Sequence, residues 1–477
     1  MGDWDMNGLA SMFFQSPIYR CWKPPGLYSG AIDAQGFSAG GIANVAAPYE
    51  KAHNRIMGQM KILVCVCMLL TAAVAQTNKL PSPILNDDQK KNPPPAPMIY
   101  SASDVNTARP AATAVNNFGL KMLTGMAAQS QHQNVFVSPL SMFTALVMTE
   151  NGASGETRDA MRKTLAIPAD LSETDLHGSA STLLKLLRSQ KGAELAIANA
   201  LWSDIKVPLS PDFIQRCQKL YEAEAATLDF SQPAAANTIN NWVKDKTHNK
   251  IPSIVAPDIV RMAAAIITNA VYFHGKWQTQ FPKAETHDGI FQLANGGQKK
   301  VPLMHHSAIK NAYRSGDGYE AAALPYESSG IEMYAILPAP GKSPEKILGK
   351  ISVDKLRSPA GSNELDLKLP RFTLDFSASL KAPLAQLGMG PAFQPRGDFA
   401  PLGSPKFYVG DVLHKTRLEV DEEGTTAAAV TAVAAAAAAF HSQPEKKVLV
   451  FNRPFALLLC DEQTGAILFA GVIYEPK

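Results

Sequence analysis

The sequence predicts an α+β protein whose helix-rich first part precedes large antiparallel or mixed sheets. Three observations carry this. The chain has 477 residues, of which 46% are hydrophobic and 18% charged, enough for one large domain or two ordinary ones. Amphipathic helix patterns cluster early, and apolar runs of strand length cluster late. The last two runs, "FALLLC" and "AILFAGVIY", are separated by "DEQTG", which reads as a hairpin turn.

Residues 1–59 are rich in Gly, Ala and Trp without periodicity and read as the product of a misplaced start codon, outside the fold. Residues 60–75 read as a secretory signal peptide. Met60 and Lys61 lead into "ILVCVCMLLTAAVAQ", and the small pair Ala73 and Ala75 places cleavage before Gln76. The apolar core is too short for stable membrane insertion. Residues 76–110 ("LPSPILNDDQKKNPPPAPM" within them) are polar and proline-rich and read as a tether. The compact domain is expected at 111–477.

Within it, "SPLSMFTALVMTENG" reads as a helix with Ser138 as N-cap and Pro139 in the first turn. Leu140, Phe143, Leu146 and Val147 form its apolar side, and Asn-Gly stops it. "TINNWVKDKTHNK" reads as a second helix with Ile239, Trp242 and Val243 inward. "AAIITNAVYF", "EMYAILP", "ELDLKLPRFTL" and "KVLVF" read as strands.

Several function classes fall away. A net charge of +3 without a long basic block gives nucleic acid no electrostatic footprint. Cys21, Cys65 and Cys67 lie in the leader and signal segments, so Cys217 and Cys460 are expected as buried free thiols. Within 111–477 there is no Gly-x-Ser-x-Gly elbow and no His-Glu-x-x-His. Before Gly341-Lys342-Ser343, Ile336 stands where a phosphate loop needs glycine. His305 and His306 are adjacent, so a strand points them to opposite faces. No sequon of the Asn-x-Ser/Thr type occurs, which fits a bacterial exported protein, secreted or periplasmic.

A set of segments then recurs in one fixed order: "NVFVSPLSMFTALVMTENGASGETRDAM", "INNWVKDKTHNKI", "ITNAVYFHGKWQTQF", "ALPYES", "LPRFTLDF", "LAQLGM", "VLHKTRLEVDEEGT" and "FNRPFALLL…TGAILFAGVIYEP". Together they resemble the serpins, the serine protease inhibitor family, over 111–477. The resemblance implies about three β-sheets, eight or nine helices and an exposed reactive-centre loop. It implies no enzyme, no cofactor and no metal, and a monomer is expected.

The resemblance also gives meaning to "EEGTTAAAVTAVAAAAAAF", residues 422–440. By propensity this is a helix, and by composition a linker. In serpins the loop is bait for a protease and, once cleaved, inserts as a new strand in the largest sheet. The hinge implied here is Glu422, Glu423, Gly424, Thr425, Thr426, Ala427, Ala428, Ala429 and Val430. Its chemistry is compatible: Gly424 permits rotation, the threonines suit a strand, and no side chain from 427 to 435 is larger than valine. Ala438–Ala439, with Ala438 sixteen residues beyond Glu422, is the implied scissile bond. A small residue there suits a serine protease of the elastase or subtilisin kind. The stretch from Ala438 to Phe451 is longer than the family's usual spacing, which leaves a cut near Phe440 as the alternative.

Ser138, Ser141, Asn269 and His414 match the family's polar cluster beneath the point where the sheet opens, and Trp277 the tryptophan where insertion begins. Lys185, Arg188 and Lys191 are too sparse for a glycosaminoglycan site and read as a solvated helix face. The alternative functions are a non-inhibitory serpin that binds a ligand or client protein, and a hydrolase.

Overall fold

The computed structural model describes residues 97–358, 363–395, 397–403, 407–424 and 445–477. All belong to the larger of two compact units, residues 85–477. The leader and the signal segment lie outside the described residues, as do the hinge from Thr425 onward and the Ala438–Ala439 bond.

Helix α1 (Ala102–Gln129) begins inside the stretch expected as tether, so the folded part starts earlier than Ala111. Ser101 caps it, accepting the Asp104 N–H at 3.1 Å. Pro110 lies within the helix and removes one backbone donor, which is why the sequence pattern reads as a break. Burial of Ala108, Ala111 and Ala112 holds the turns on both sides. The Ala111 N–H finds the Ser179 hydroxyl at 3.0 Å.

Helix α2 (Pro139–Glu150) starts as expected, with the Ser138 hydroxyl accepting the Ser141 N–H. Its burial differs from expectation: all twelve residues are buried rather than one stripe. The helix lies in the interior, against β15 (Ile467–Ile473) as well as β2 (Ala193–Asp204) and β4 (Ala265–Gly275). Four further helices of ten or more residues follow before β4: α3 (Gly155–Thr164), α4 (Glu173–Ser189), α5 (Pro211–Tyr221) and α6 (Ala234–Lys246). Ile239 and Val243 of α6 are buried, while Trp242 is half-buried, edge-on to Trp202 at 5.5 Å. With α7 (Pro257–Met262), α8 (Pro344–Leu348), α9 (Val353–Arg357) and α10 (Lys381–Leu384) the described residues hold ten α-helices. The expected eight or nine leaves out the shortest.

Among the described residues there are three sheets, as expected. The six-stranded one joins β1 (Val135–Val137), β15, β14 (Phe455–Asp461), β9 (Ile331–Pro338), β8 (Tyr319–Pro325) and β7 (Tyr313–Gly316), antiparallel throughout. The four-stranded one has the order β13 (Glu445–Val450), β10 (Asn363–Pro370), β6 (Gln298–Lys310), β5 (His287–Gln292). The five-stranded sheet has the order β11 (Phe372–Ser379), β12 (Asp411–Val420), β4, β2, β3 (Glu224–Leu228). The run "ELDLKLPRFTL" is therefore two strands in two sheets. Pro370 has no N–H to continue a ladder, and Arg371 carries the chain across, its N–H on the Pro302 carbonyl at 2.9 Å.

One pairing in the five-stranded sheet positions the site. Strands β12 and β4 are neighbours near its centre and run parallel, in register from Asp411↔Ile266 to Arg417↔Tyr272. Each is antiparallel to its other neighbour.

Candidate functional site

The site is the seam between β12 and β4, with the chain that leaves the end of β12. Because the two strands are parallel, their C-terminal ends lie at the same edge of the sheet. Residues Asp421, Glu422, Glu423 and Gly424 make a tight turn there, with the Asp421 N–H on the Gly424 carbonyl at 3.0 Å. Gly424 forms antiparallel bridges to Asp421, which continues β12, and to Lys276, which continues β4. The chain thus begins an antiparallel strand between the two ends. Glycine is required at this point. Its φ is 130°, and a Cβ would sit 2.4 Å from the Gly275 carbonyl oxygen.

The turn is clamped. The Trp277 N–H donates to the Glu423 carbonyl at 2.9 Å and the Phe281 N–H to the Glu422 carbonyl at 2.8 Å. The Trp277 indole N–H donates to the Asp421 carbonyl at 2.8 Å, and the ring stacks on Tyr326 at 4.5 Å. Glu422 and Glu423 are buried despite their charge. Glu422 accepts from Thr286 at 2.8 Å and faces Arg371 at 3.4 Å, while Glu423 pairs with Lys283. The Lys283 ammonium is held above its usual range by the hydrogen bond to Glu423. Two buried carboxylates are tolerable here because each has a cation beside it.

Some eight residues back along β4, roughly 25 Å at strand rise, a row of polar side chains crosses the same seam. His414 on β12 faces Asn269 on β4, which faces Asn199 on β2. Ser138 and Ser141 come up from the start of α2 beneath them. The Ser138 N–H donates to His414 Nε2 at 3.1 Å, so that nitrogen carries no proton. Nδ1 must then hold it, and it donates to the Asn269 side-chain carbonyl. The Asn269 amide reaches Ser141 and Asn199, and the Ser141 hydroxyl donates to Asn199 Oδ1 at 2.9 Å. Asn199 returns its own amide to Thr144 at 2.8 Å. Complete burial lowers the His414 imidazole to about 3, so it is a neutral hydrogen-bonding group.

The structure therefore brings Ser138, Ser141, Asn269 and His414 into one network and sets Trp277 apart, at the hinge. Sequence reasoning missed Asn199, the centre of the row. The signal was an amide inside the otherwise apolar "LAIANALW". It also missed Lys283, Thr286 and Arg371, whose roles depend on a contact more than fifty residues away in sequence. Arg188 is held by Glu222 at 2.6 Å rather than presented to solvent. Cys217 and Cys460 are free and buried, with both thiols pushed up by burial. Among the described residues no group of three or more His, Cys, Asp or Glu is arranged to hold a metal, and no helix is long and apolar enough to cross a membrane.

Comparison with known proteins agrees with this architecture. A family model described as Serpin (serine protease inhibitor) matches residues 113–476. An uncharacterized serpin-like protein of Thermococcus kodakarensis is 33% identical over 79% of this chain and 88% of its own. The leukocyte elastase inhibitor of Bos taurus is 30% identical over 75% and 97%. The native crystal structure of tengpin, a thermophilic serpin, superposes with a TM-score of 0.67 at 28% identity, covering 80% of this chain and 96% of tengpin. A parallel seam with a hinge turned into it, on a chain that this family model matches over 113–476, leads to one conclusion: the chain belongs to the serpin family.

Proposed function

We propose that this chain is an inhibitory serpin, exported and monomeric, that traps a serine protease of the elastase or subtilisin kind as a covalent acyl-enzyme. The protease serine attacks the Ala438 carbonyl, the Ala438–Ala439 bond breaks, and Ala438 stays esterified to the enzyme. The segment from Thr425 onward then enters between β12 and β4 and carries the protease with it. The observation that carries this reading is Gly424, already antiparallel to the continuations of both strands. An inserted strand exchanges one parallel ladder for two antiparallel ones, and antiparallel pairing is the stronger per residue. At about 1 kcal/mol net per bond, ten or so additional bonds give about 10 kcal/mol. That is comparable to the whole stability of an ordinary domain.

The name of the Bos taurus relative supports an elastase-type target, and the alanines around 438 fit a shallow specificity pocket. Residues 60–75 support export. Incubation with elastase, read on a denaturing gel, tests the proposal. A complex that survives denaturation is expected. Clean cleavage with the protease left active would overturn inhibition and favour a ligand- or client-binding role.

A further inference from the structure

The six-stranded sheet holds a second polar cluster, remote from the polar row at the seam, with Glu332 and Tyr334 buried and Glu462 half-buried at its edge. Glu332 and Tyr334 lie on one face of β9, two residues apart. Cys460 at the end of β14 pairs with Glu332, so Glu462, two residues on, leaves the sheet beside them. The Tyr334 hydroxyl stands 2.7 Å from Glu332 Oε2 and 2.7 Å from Glu462 Oε1. A phenol has one proton to donate. It can satisfy one carboxylate, and the second contact at this length needs a proton from the other carboxyl. That carboxyl must therefore be an acid donating to the phenol oxygen.

The surroundings identify the group that holds the proton. Arg314 on β7 and Arg357 on α9 face Glu332; Arg357, Asp461 and Glu332 face Glu462. Arg314 is taken up by the carbonyls of Leu356, Asn311 and Tyr313. Asp461 is occupied by the Thr464 N–H and hydroxyl. Arg357 gives one nitrogen to the Glu462 carbonyl and another to Asp354. Its buried Nε has no hydrogen-bond acceptor, although Glu462 Oε2 is only 3.8 Å away. Burial first, then the neighbouring Glu332 carboxylate, raise Glu462 to about 7, and burial raises Glu332 as well. Glu462 is thus within reach of two partners suited to its two protonation states.

We infer that Glu332, Tyr334 and Glu462 hold one carboxyl proton besides the phenol's own and act as a switch, with Glu462 tied to Tyr334 as an acid and turned to Arg357 Nε as an anion. The switch acts on the end of β9. The Glu462 N–H holds the Gly330 carbonyl at 2.9 Å, and the same β8–β9 turn carries Tyr326, the stacking partner of Trp277. Loss of the proton loosens this turn and with it the support of the hinge clamp. The triad stands whether or not the loop inhibits a protease.

Carboxyl-labelled glutamate in the full chain, followed by carbon NMR between about pH 5 and 8, reads the switch directly. One glutamate is expected to titrate near neutrality and to vanish in Glu462→Gln. Glu332→Gln, which removes the neighbouring charge, is expected to move that titration to lower pH. Relative to Glu462→Gln, the wild type is expected to lose stability as pH rises toward 7, with a slope of about one proton. If every glutamate titrates in the ordinary range, or the two stability profiles run parallel, the shared proton is refuted. Should Glu462→Gln fail to fold, the wild-type and Glu332→Gln titrations decide alone.

Discussion

His414 and Asn269 face each other across the β12–β4 seam, and the imidazole Nδ1–H donates to the Asn269 side-chain carbonyl. The bond joins the two strands that the proposed insertion would part. Protonation of Nε2 would leave this bond in place but remove the one that Nε2 accepts from the Ser138 N–H, so the row is complete only while the ring is neutral.

A pH dependence follows. The unfolded chain protonates His414 near 6.5, whereas the folded chain resists down to about 3. Below about 6.5 the unfolded state binds the extra proton, so stability falls as pH falls. Compared with His414→Gln, the wild type should lose about 2 kcal/mol between about pH 7.5 and 5. Denaturant unfolding of the two proteins side by side measures it. The difference isolates His414 from His177, which burial also lowers, to about 4. Equal losses would mean that His414 is not held neutral.

Trp277→Phe keeps an aromatic ring on Tyr326 but deletes the indole N–H that holds the Asp421 carbonyl. Losing about 1 kcal/mol should open the 421–424 turn about fivefold more often. Amide hydrogen exchange at Glu423 and Gly424 reports this. Unchanged exchange would show that the backbone bonds to Glu422 and Glu423 clamp the turn by themselves.

Cleavage in the loop should strengthen the molecule. Nicking an ordinary loop leaves stability equal or lower. Here about 10 kcal/mol of added ladder, at a few degrees per kcal/mol, should raise the unfolding midpoint by tens of degrees. Limited proteolysis within 433–440 followed by a melting curve is the measurement. A cleaved form that melts no higher than the intact one rules insertion out.

Thr425→Arg separates recognition from trapping. Thr425 follows Gly424, so it is the next residue to enter the seam. A guanidinium there must lose its water without a partner, which costs several kcal/mol. The proposed bait bond at Ala438 is untouched, so elastase should still cut it. Insertion becomes slower than deacylation, and the protein behaves as a substrate. Wild-type stoichiometry of inhibition in this variant would sink the hinge assignment.

Sequence and structure part company where contacts are distant in the chain. Ser138 was legible because an N-cap is a local signal, and the β14–β15 hairpin because its turn is five residues long. Asn269 and His414 became legible only through family resemblance, since nothing nearby says that these strands are neighbours. Asn199 escaped because its partners lie 55 or more residues away, at 144, 141 and 269. The tether reading of the residues up to Pro110 failed because local propensity weighs the missing N–H and not the packing of the alanines around it. The carboxyl–tyrosine triad was invisible for the same reason: Glu332 and Glu462 meet only through the β9–β14 register.

The loop is anchored at both ends, at its start by the clamped turn at 421–424 and at its finish by β13, paired with β10 over six residues. An intact loop can enter the seam fully only by tearing that ladder away, whereas a cut loop needs no such sacrifice. The state of one peptide bond therefore works as a record that is written once and cannot be erased. A molecule built this way does not turn over. On the proposed inhibitory reading its capacity is counted in copies, so the amount made, rather than any rate constant, sets how much protease it removes.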